Sequence, residues 1–357
     1  MTVTRSVFGS GPGGETIHCY AIANENGYAM SCMELGATLI SFIAPDLSGE
    51  PVEITLGYDS LAPYLEGHPF FGSTIGRVAN RIGKATFTLD EQLYTLTPNE
   101  GANLLHSGSD GFHVRLWSSE PFQSTSQAGV LFSLRSPDGD QGFPGALDVT
   151  VSMSLTESNE LLFEYRAEAE EPTPVNLTNH AYWNLAGAPD CRNAPERTDR
   201  AGGDIGNHLL MIPSHEYAEL DEENIPTGSI LPVAGTAFDF RTPKPIGADI
   251  ELLPNGYDLS YGLEPTDGVM RQAAVVEEDT TGRRMEIATT SPAIQFYTGN
   301  YLDGTPARGG HTHHRYSAFC LETQFHPDTV NHPDFPSIIV KPGHPFEHRT
   351  IHRFSVT

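Results

Sequence analysis

The sequence predicts an all-β protein, organised as a large antiparallel β-sandwich. Three observations carry that prediction. Apolar and polar residues alternate in several windows, which is the period of a strand with one face buried. Turn-forming pairs punctuate those windows at hairpin-like intervals. The 35 glycines and 27 prolines, with little helical periodicity around them, argue against long helices.

The clearest strand covers residues 149–156, where Val149, Val151, Met153 and Leu155 share one face and Thr150, Ser152, Ser154 and Thr156 the other. The same alternation runs through Ala85, Phe87 and Leu89, through Val130, Phe132 and Leu134, and through Leu161, Phe163 and Tyr165. Pro137-Asp138-Gly139, Ser158-Asn159 and Asp303-Gly304 supply the turns. Strands with one apolar face must bury it against another such face, so a sandwich is the economical architecture. The 357 residues could form one large β domain or two ordinary ones. No Pro/Ser linker, composition break or repeat of solenoid length divides the chain, so 1–357 reads as one domain. Residues 186–207, rich in Gly, Pro and charge, read as an extended surface loop within it.

Hydrophobic residues at 38% and charged residues at 18% describe a chain that folds. Its formal charge is −26, and its only lysines are Lys84, Lys244 and Lys341. No cluster of Lys and Arg is available to neutralise phosphates, so nucleic acid and anionic membrane are excluded as partners and a small neutral molecule fits better. The four cysteines, Cys19, Cys32, Cys191 and Cys320, lack the paired spacing of a zinc or redox motif and read as reduced thiols. Neither a signal-peptide core nor a stretch of membrane-spanning length is found, and a cytoplasmic location is expected.

Four segments set polar side chains into strand-like or aromatic surroundings, which costs free energy unless the groups are used. They are Gly76–Ile82 (GRVANRI) with the following Asn103–Gly108 loop, Val175–Leu185 (VNLTNHAYWNL), Gly256–Asp258 with Gln295–Asn300 (QFYTGN), and Phe319–Pro327 (FCLETQFHP). In this order, from about Gly36 to Ser355, they closely resemble the galactose mutarotase (aldose 1-epimerase) family. The resemblance implies a β-supersandwich, with Glu322 as general base and His180 as general acid. It further implies that Asn80, Arg81, His106, Tyr182, Asp258 and Gln295 bind a small-molecule aldose. No cofactor or metal is implied, and the expected assembly is a monomer or homodimer. The chain departs from the family pattern at Ser107, where His-Gly-Gly is common and His-Ser-Gly stands here, and after Asp258, where Leu259-Ser260-Tyr261 follows.

The residue types suit that chemistry. Interconverting anomers requires a proton to leave the C1 hydroxyl and one to reach the ring oxygen, so one group must be ionised and another protonated. A glutamate with a reference pKa of about 4.3 is a ready base, and a histidine near 6.5 serves as acid where its surroundings favour imidazolium. Asp258 is the expected source of that negative field, and Arg81 and His106 are placed to act on the ring oxygen. Asn80, Asn179 and Gln295 offer donor and acceptor together, and Tyr182 and Trp183 can cover an apolar sugar face.

Plainer uses exist for the same residues: a core histidine at 180, a structural ion pair at Arg81, a turn cap at Asp258. His311, His313 and His314, and His344, His348 and His352, lack a matching carboxylate or cysteine pattern and read as loop and final-strand residues, not metal ligands. Asp221-Glu222-Glu223 and Glu277-Glu278-Asp279 read as solvated charges. A glycoside hydrolase would need Asp258 as a second carboxylate. A hexose-phosphate epimerase would need Arg77 and Arg81 as a phosphate clamp, and a non-catalytic sugar-binding module would not need the acid and base.

Overall fold

The structure, a computed structural model, describes residues 1–67, 69–188, 203–264 and 268–357. Most of the loop expected at 186–207, with Cys191, lies outside the described residues. A nine-stranded sheet dominates. Across it run Ser118–Gln123, Gln127–Ser136, Leu147–Thr156, Glu160–Ala169, Phe346–Val356, Arg283–Thr289, Arg271–Glu278, Leu209–Met211 and Lys244–Pro245. All its pairings are antiparallel. One five-stranded sheet holds Thr2–Ser10, Thr16–Ala23, Ala29–Met33, Thr38–Pro45 and Pro51–Glu53 in sequence order. Another runs in the spatial order Pro226–Pro232, Glu216–Leu220, Asp258–Gly262, Ala293–Tyr297 and Cys320–Gln324. Among the described residues the only α-helix is Ala62–Glu66, and no helix is long and apolar enough to cross a membrane.

The period-two windows at 130–134, 149–156 and 161–165 become strands of the large sheet, and the one at 85–89 enters a separate hairpin of Thr86–Leu89 with Gln92–Thr95. Val151 lies opposite Phe132 and Tyr165, and Met153 opposite Val130 and Phe163, so their apolar faces coincide across three strands. Ser158-Asn159 forms the turn between two of them, with Asn159 left-handed at φ 62°. Asp303-Gly304 is different: it is a turn inside the long 298–319 connection and not a tight hairpin, because the strands on either side end well before it. One core receives side chains from all three sheets: Tyr20, Met30 and Phe42 from the first, Val151 and Phe163 from the large one, and Leu259, Phe296 and Leu321 from the last.

Two sequence expectations change on this scaffold. Trp183, expected at the sugar, is 1% exposed inside that core. Its ring lies 5.8 Å from Phe42, 5.6 Å from Phe354 and 5.3 Å from His352, because the backbone at 182–183 alternates and turns Tyr182 to the opposite side. Glu278, expected in solvent, is buried at the end of its strand, where its carboxylate accepts from the hydroxyls of Thr280 and Thr281. His348 and His352 lie on the final strand, and His313 is buried against the ring of Phe71.

Trp183→Ala should cost about 3–5 kcal/mol of stability, the usual cost of emptying a large buried aromatic site. Chemical denaturation would register this as a lower midpoint; an unchanged midpoint would place the indole outside the core.

Candidate active site

Strand register builds one wall of the site. Asp258 lies opposite Tyr297, which lies opposite Cys320; Ser260 lies opposite Gln295, which lies opposite Glu322. Because successive side chains alternate, these six residues share one polar face. Leu259, Ile294, Phe296 and Leu321 point the other way, into the core. A slip of one residue would exchange the two faces and push Glu322 into hydrocarbon, so core burial on one side fixes the chemistry on the other.

The second wall is the segment carrying His180. Its backbone N–H donates to the carbonyl of Ser73 at 3.0 Å, and its carbonyl accepts from Gly72 at 3.0 Å. Three residues on, Trp183 and Phe319 exchange backbone hydrogen bonds of 2.7 and 3.0 Å, clamping this segment to the strand that carries Glu322. Gly72 is required where it stands. Its φ is 62°, and a Cβ there would come within 1.8 Å of the Leu39 carbonyl oxygen. Asn179, expected to meet the sugar, is spent on this clamp: its side-chain amide donates to the Gly72 carbonyl at 2.7 Å.

The third wall joins Arg81-Ile82 to Leu104-Leu105. Asn80 and His106 both adopt left-handed backbone, with φ of 62° and 51°, a strain that non-glycine residues tolerate where surroundings hold them. The surroundings do so here. Asn80 N–H donates to His106 Nδ1 at 3.1 Å, and Arg81 N–H donates to the Asn80 side-chain oxygen at 2.9 Å. Since a backbone N–H can only donate, His106 is neutral with its proton on Nε2. Ser107, which replaces the family's common glycine, is also left-handed at φ 62°. Its hydroxyl accepts from Val78 N–H at 2.7 Å and donates to the Val78 carbonyl at 3.1 Å, bonds that a glycine could not make.

These walls enclose a cavity of about 180 Å³ lined by Asn80, Arg81, His106, His180, Tyr182, Asp258 and Glu322, with Phe70, Glu100, Tyr297 and Tyr301 among the others. One water needs roughly 10–15 Å³ by this measure, so the space suits a molecule of monosaccharide size. His180 Nε2 lies 3.8 Å from Glu322 Oε1. The imidazole is sandwiched between Phe70 and Tyr182, at ring distances of 5.7 and 5.0 Å, and its Nδ1 meets the thiol of Cys320 at 3.5 Å. Arg81 donates through Nε and Nη2 to both oxygens of Glu100 at 2.6 and 2.9 Å, and its Nη1 lies 3.9 Å from Asp258.

Seven of the eight site residues expected from sequence therefore line one cavity. The eighth, Gln295, does not line it; its amide supports the wall, donating to Asp258 at 2.7 Å. Arg77 is elsewhere, its guanidinium buried against the carbonyls of Pro144 and Gly145 and the hydroxyl of Ser136. Glu100, Phe70 and Tyr301 were not anticipated. Tyr297 stood inside the QFYTGN segment, and strand alternation from Gln295 would have put it on the same face.

Burial shapes the charges. Glu322 is pushed well above the ordinary carboxyl range, first by desolvation and then by the nearby charge of Asp258. Desolvation pushes His180 down to about 4. His106 is driven well below its usual value by desolvation, then by His180, His113 and Arg81. Asp258 is itself raised by desolvation, against the opposing pull of Arg81 and the Gln295 hydrogen bond. The imidazolium expected at 180 is thus not favoured in the free site, because desolvation outweighs any field from Asp258. The Cys320 thiol, held protonated by the same burial, is a weak partner and does not compensate.

A β-supersandwich with a carboxyl and an imidazole facing each other in a sugar-sized cavity defines a protein of the galactose mutarotase-like fold. The family model described as Aldose 1-epimerase matches residues 18–353, and the chain belongs to that family. It is 41% identical to galactose mutarotase from Bos taurus over 359 aligned residues, covering 100% of this chain and 99% of that protein. It is 37% identical to aldose 1-epimerase from Escherichia coli, covering 96% of each. The crystal structure of the GalM/aldose epimerase homologue from C. elegans superposes with a TM-score of 0.84 at 29% identity, over 94% of this chain and 98% of that one. Galactose 1-epimerase from Lactobacillus acidophilus superposes with a TM-score of 0.83 at 25% identity, over 99% of each chain.

In the sugar-free protein, the His180 ring should remain neutral as pH falls, taking up its proton only near pH 4. Nitrogen-detected NMR of the histidine rings would follow this; a midpoint at or above about 6.5, the free value, would contradict the burial argument.

Proposed function

We propose that this chain interconverts the α and β anomers of aldohexoses such as galactose and glucose, with Glu322 as base and His180 as acid. The observation that carries the reading is the 3.8 Å approach of His180 Nε2 to Glu322 Oε1 on the wall of a cavity of monosaccharide size. Family membership supports it, as do relatives named galactose mutarotase and aldose 1-epimerase over essentially their whole lengths.

The carboxylate of Glu322 takes the proton from the C1 hydroxyl while the imidazolium of His180 gives one to the ring oxygen. The bond between C1 and that oxygen breaks, leaving an open-chain aldehyde. Rotation about C1–C2 presents the other carbonyl face, and the two proton transfers reverse as the ring recloses. Ring opening therefore converts carboxylate and imidazolium into carboxylic acid and neutral imidazole. The net charge of the pair is zero in both states, and burial favours the second, so the pocket's dryness stabilises the half of the cycle that holds the aldehyde. In water the two reference values differ by about two units in favour of the charged pair. Shifts in opposite directions reverse that preference, so the neutral pair is the resting state of the sugar-free pocket.

Asn80, Tyr182, the Nε2–H of His106 and the free edge of Arg81 hold the sugar, with Gln295 steadying Asp258. A hydrolase would need Asp258 as its second carboxylate, but Asp258 is engaged by Gln295 and Arg81. A phosphate clamp is disfavoured because Arg77 faces away and Arg81 is already paired. The chain reads as one domain over 1–357, a monomer or homodimer of the cytoplasm, consistent with the free thiols of Cys19, Cys32 and Cys320.

Polarimetry on freshly dissolved α-D-galactose should show accelerated relaxation with the wild type and a loss of roughly 10²–10⁴-fold in Glu322→Gln and in His180→Asn. Full activity in either variant would remove that residue from the reaction. Activity needs one proton on the pair, so it should fall as pH drops through about 4, where His180 takes a second. It should fall again only above the ordinary carboxyl range, where the pair loses its last proton; a rate that climbs steadily from pH 5 to 8 would contradict the shared proton.

A further inference from the structure

Arg81 supplies the only permanent positive charge among the described residues that line the cavity, against the carboxyl groups of Glu100, Asp258 and Glu322. Glu100 takes the Nε/Nη2 edge of the guanidinium in a two-point pairing of 2.6 and 2.9 Å, and Asp258 stands 3.9 Å from Nη1. Both sides of the cation are balanced. Glu100 belongs neither to the sheet that carries Glu322 nor to the segment that carries His180. It sits in a turn closed by the hydrogen bond from Asn103 N–H to the Glu100 carbonyl at 2.9 Å, and its side chain is 38% exposed at the cavity wall. It has no proton-transfer part in ring opening, and a purely structural ion pair would not need to face the sugar.

We propose that Glu100 is a specificity-determining residue: by neutralising Arg81 it excludes anionic sugars and reserves the remaining guanidinium edge for an uncharged hydroxyl or ring oxygen. The inference rests on the sugar-binding reading of the cavity given above. A uronic acid tests it well, because D-galacturonate is the pyranose of galactose with a carboxylate at C6. That charge must enter the same small space, whichever way the ring lies. In the wild type it meets three carboxyl groups and an already paired cation. Removing the charge of Glu100 leaves Arg81 with an unbalanced edge that a carboxylate can use.

The experiment compares kcat/KM for D-galacturonate and D-galactose in the wild type, Glu100→Gln and Glu100→Asp. The ratio of uronate to neutral sugar should rise about tenfold in Glu100→Gln, a partly screened interaction of one charge, and stay within about twofold in Glu100→Asp. An unchanged or lower ratio in Glu100→Gln would overturn the proposal. So would an equal shift in Glu100→Asp, since loss of geometry and not of charge would then be responsible. Equilibrium binding of the two sugars, followed by NMR, gives the same ratio without turnover. Wild type that binds both sugars yet fails to accelerate galactose mutarotation would refute the epimerase reading while leaving the ratio to judge Glu100.

Discussion

Burying a carboxyl and an imidazole within reach of each other, at 3.8 Å, constrains them to act as one group. Neither tolerates charge alone in a dry cavity: desolvation raises Glu322 and lowers His180, so the stable states are those in which the pair holds a single proton. Two arrangements of that proton exist, one charge-separated and one neutral, and in the proposed reaction they are the two ends of a hemiacetal ring opening. The burial that makes the site costly to build also favours the neutral arrangement of the pair.

The rest of the fold holds that pair in place. Glu322 comes from a strand whose other face is core, so its direction is fixed by apolar burial and not by a partner of its own. His180 comes from a segment tied to Gly72 and Ser73 on one side and, through Trp183, to Phe319 on the other. The indole of Trp183 anchors this arrangement from below, packed on Phe42 and Phe354. Left-handed backbone at Asn80, His106 and Ser107 is the local cost of turning the third wall toward the cavity, offset by hydrogen bonds among those residues and Val78. Rigid elements on all three sides suit general acid–base catalysis, which depends on placing atoms to within a hydrogen-bond length.

Much of this was legible in the sequence because strand burial leaves a period of two. The 149–156 window showed its inner face directly, and the charged Glu322 in an apolar strand marked the site's own wall. Less visible was whatever depends on direction. Trp183 and Tyr182 are adjacent and both aromatic, yet one is core and the other cavity, and letters alone do not say which face of an irregular segment points inward. Asn179 and Gln295 each use the amide nitrogen to hold backbone or carboxylate, a use that the letters alone do not show. Glu100 was missed for the opposite reason. It lies in a polar turn, PNEGAN, whose composition signals a surface loop, and only the fold brings it onto Arg81. The expected imidazolium at 180 was also beyond the sequence, since reference pKa values carry no information about burial.

The most direct measurement is a crystal structure of Glu322→Gln with D-galactose bound. A pyranose should occupy the cavity with its C1 hydroxyl within about 3.2 Å of the residue-322 side chain and its ring oxygen within the same reach of His180 Nε2. A sugar seated with its anomeric end turned away from both, at full occupancy, would contradict the account at its centre.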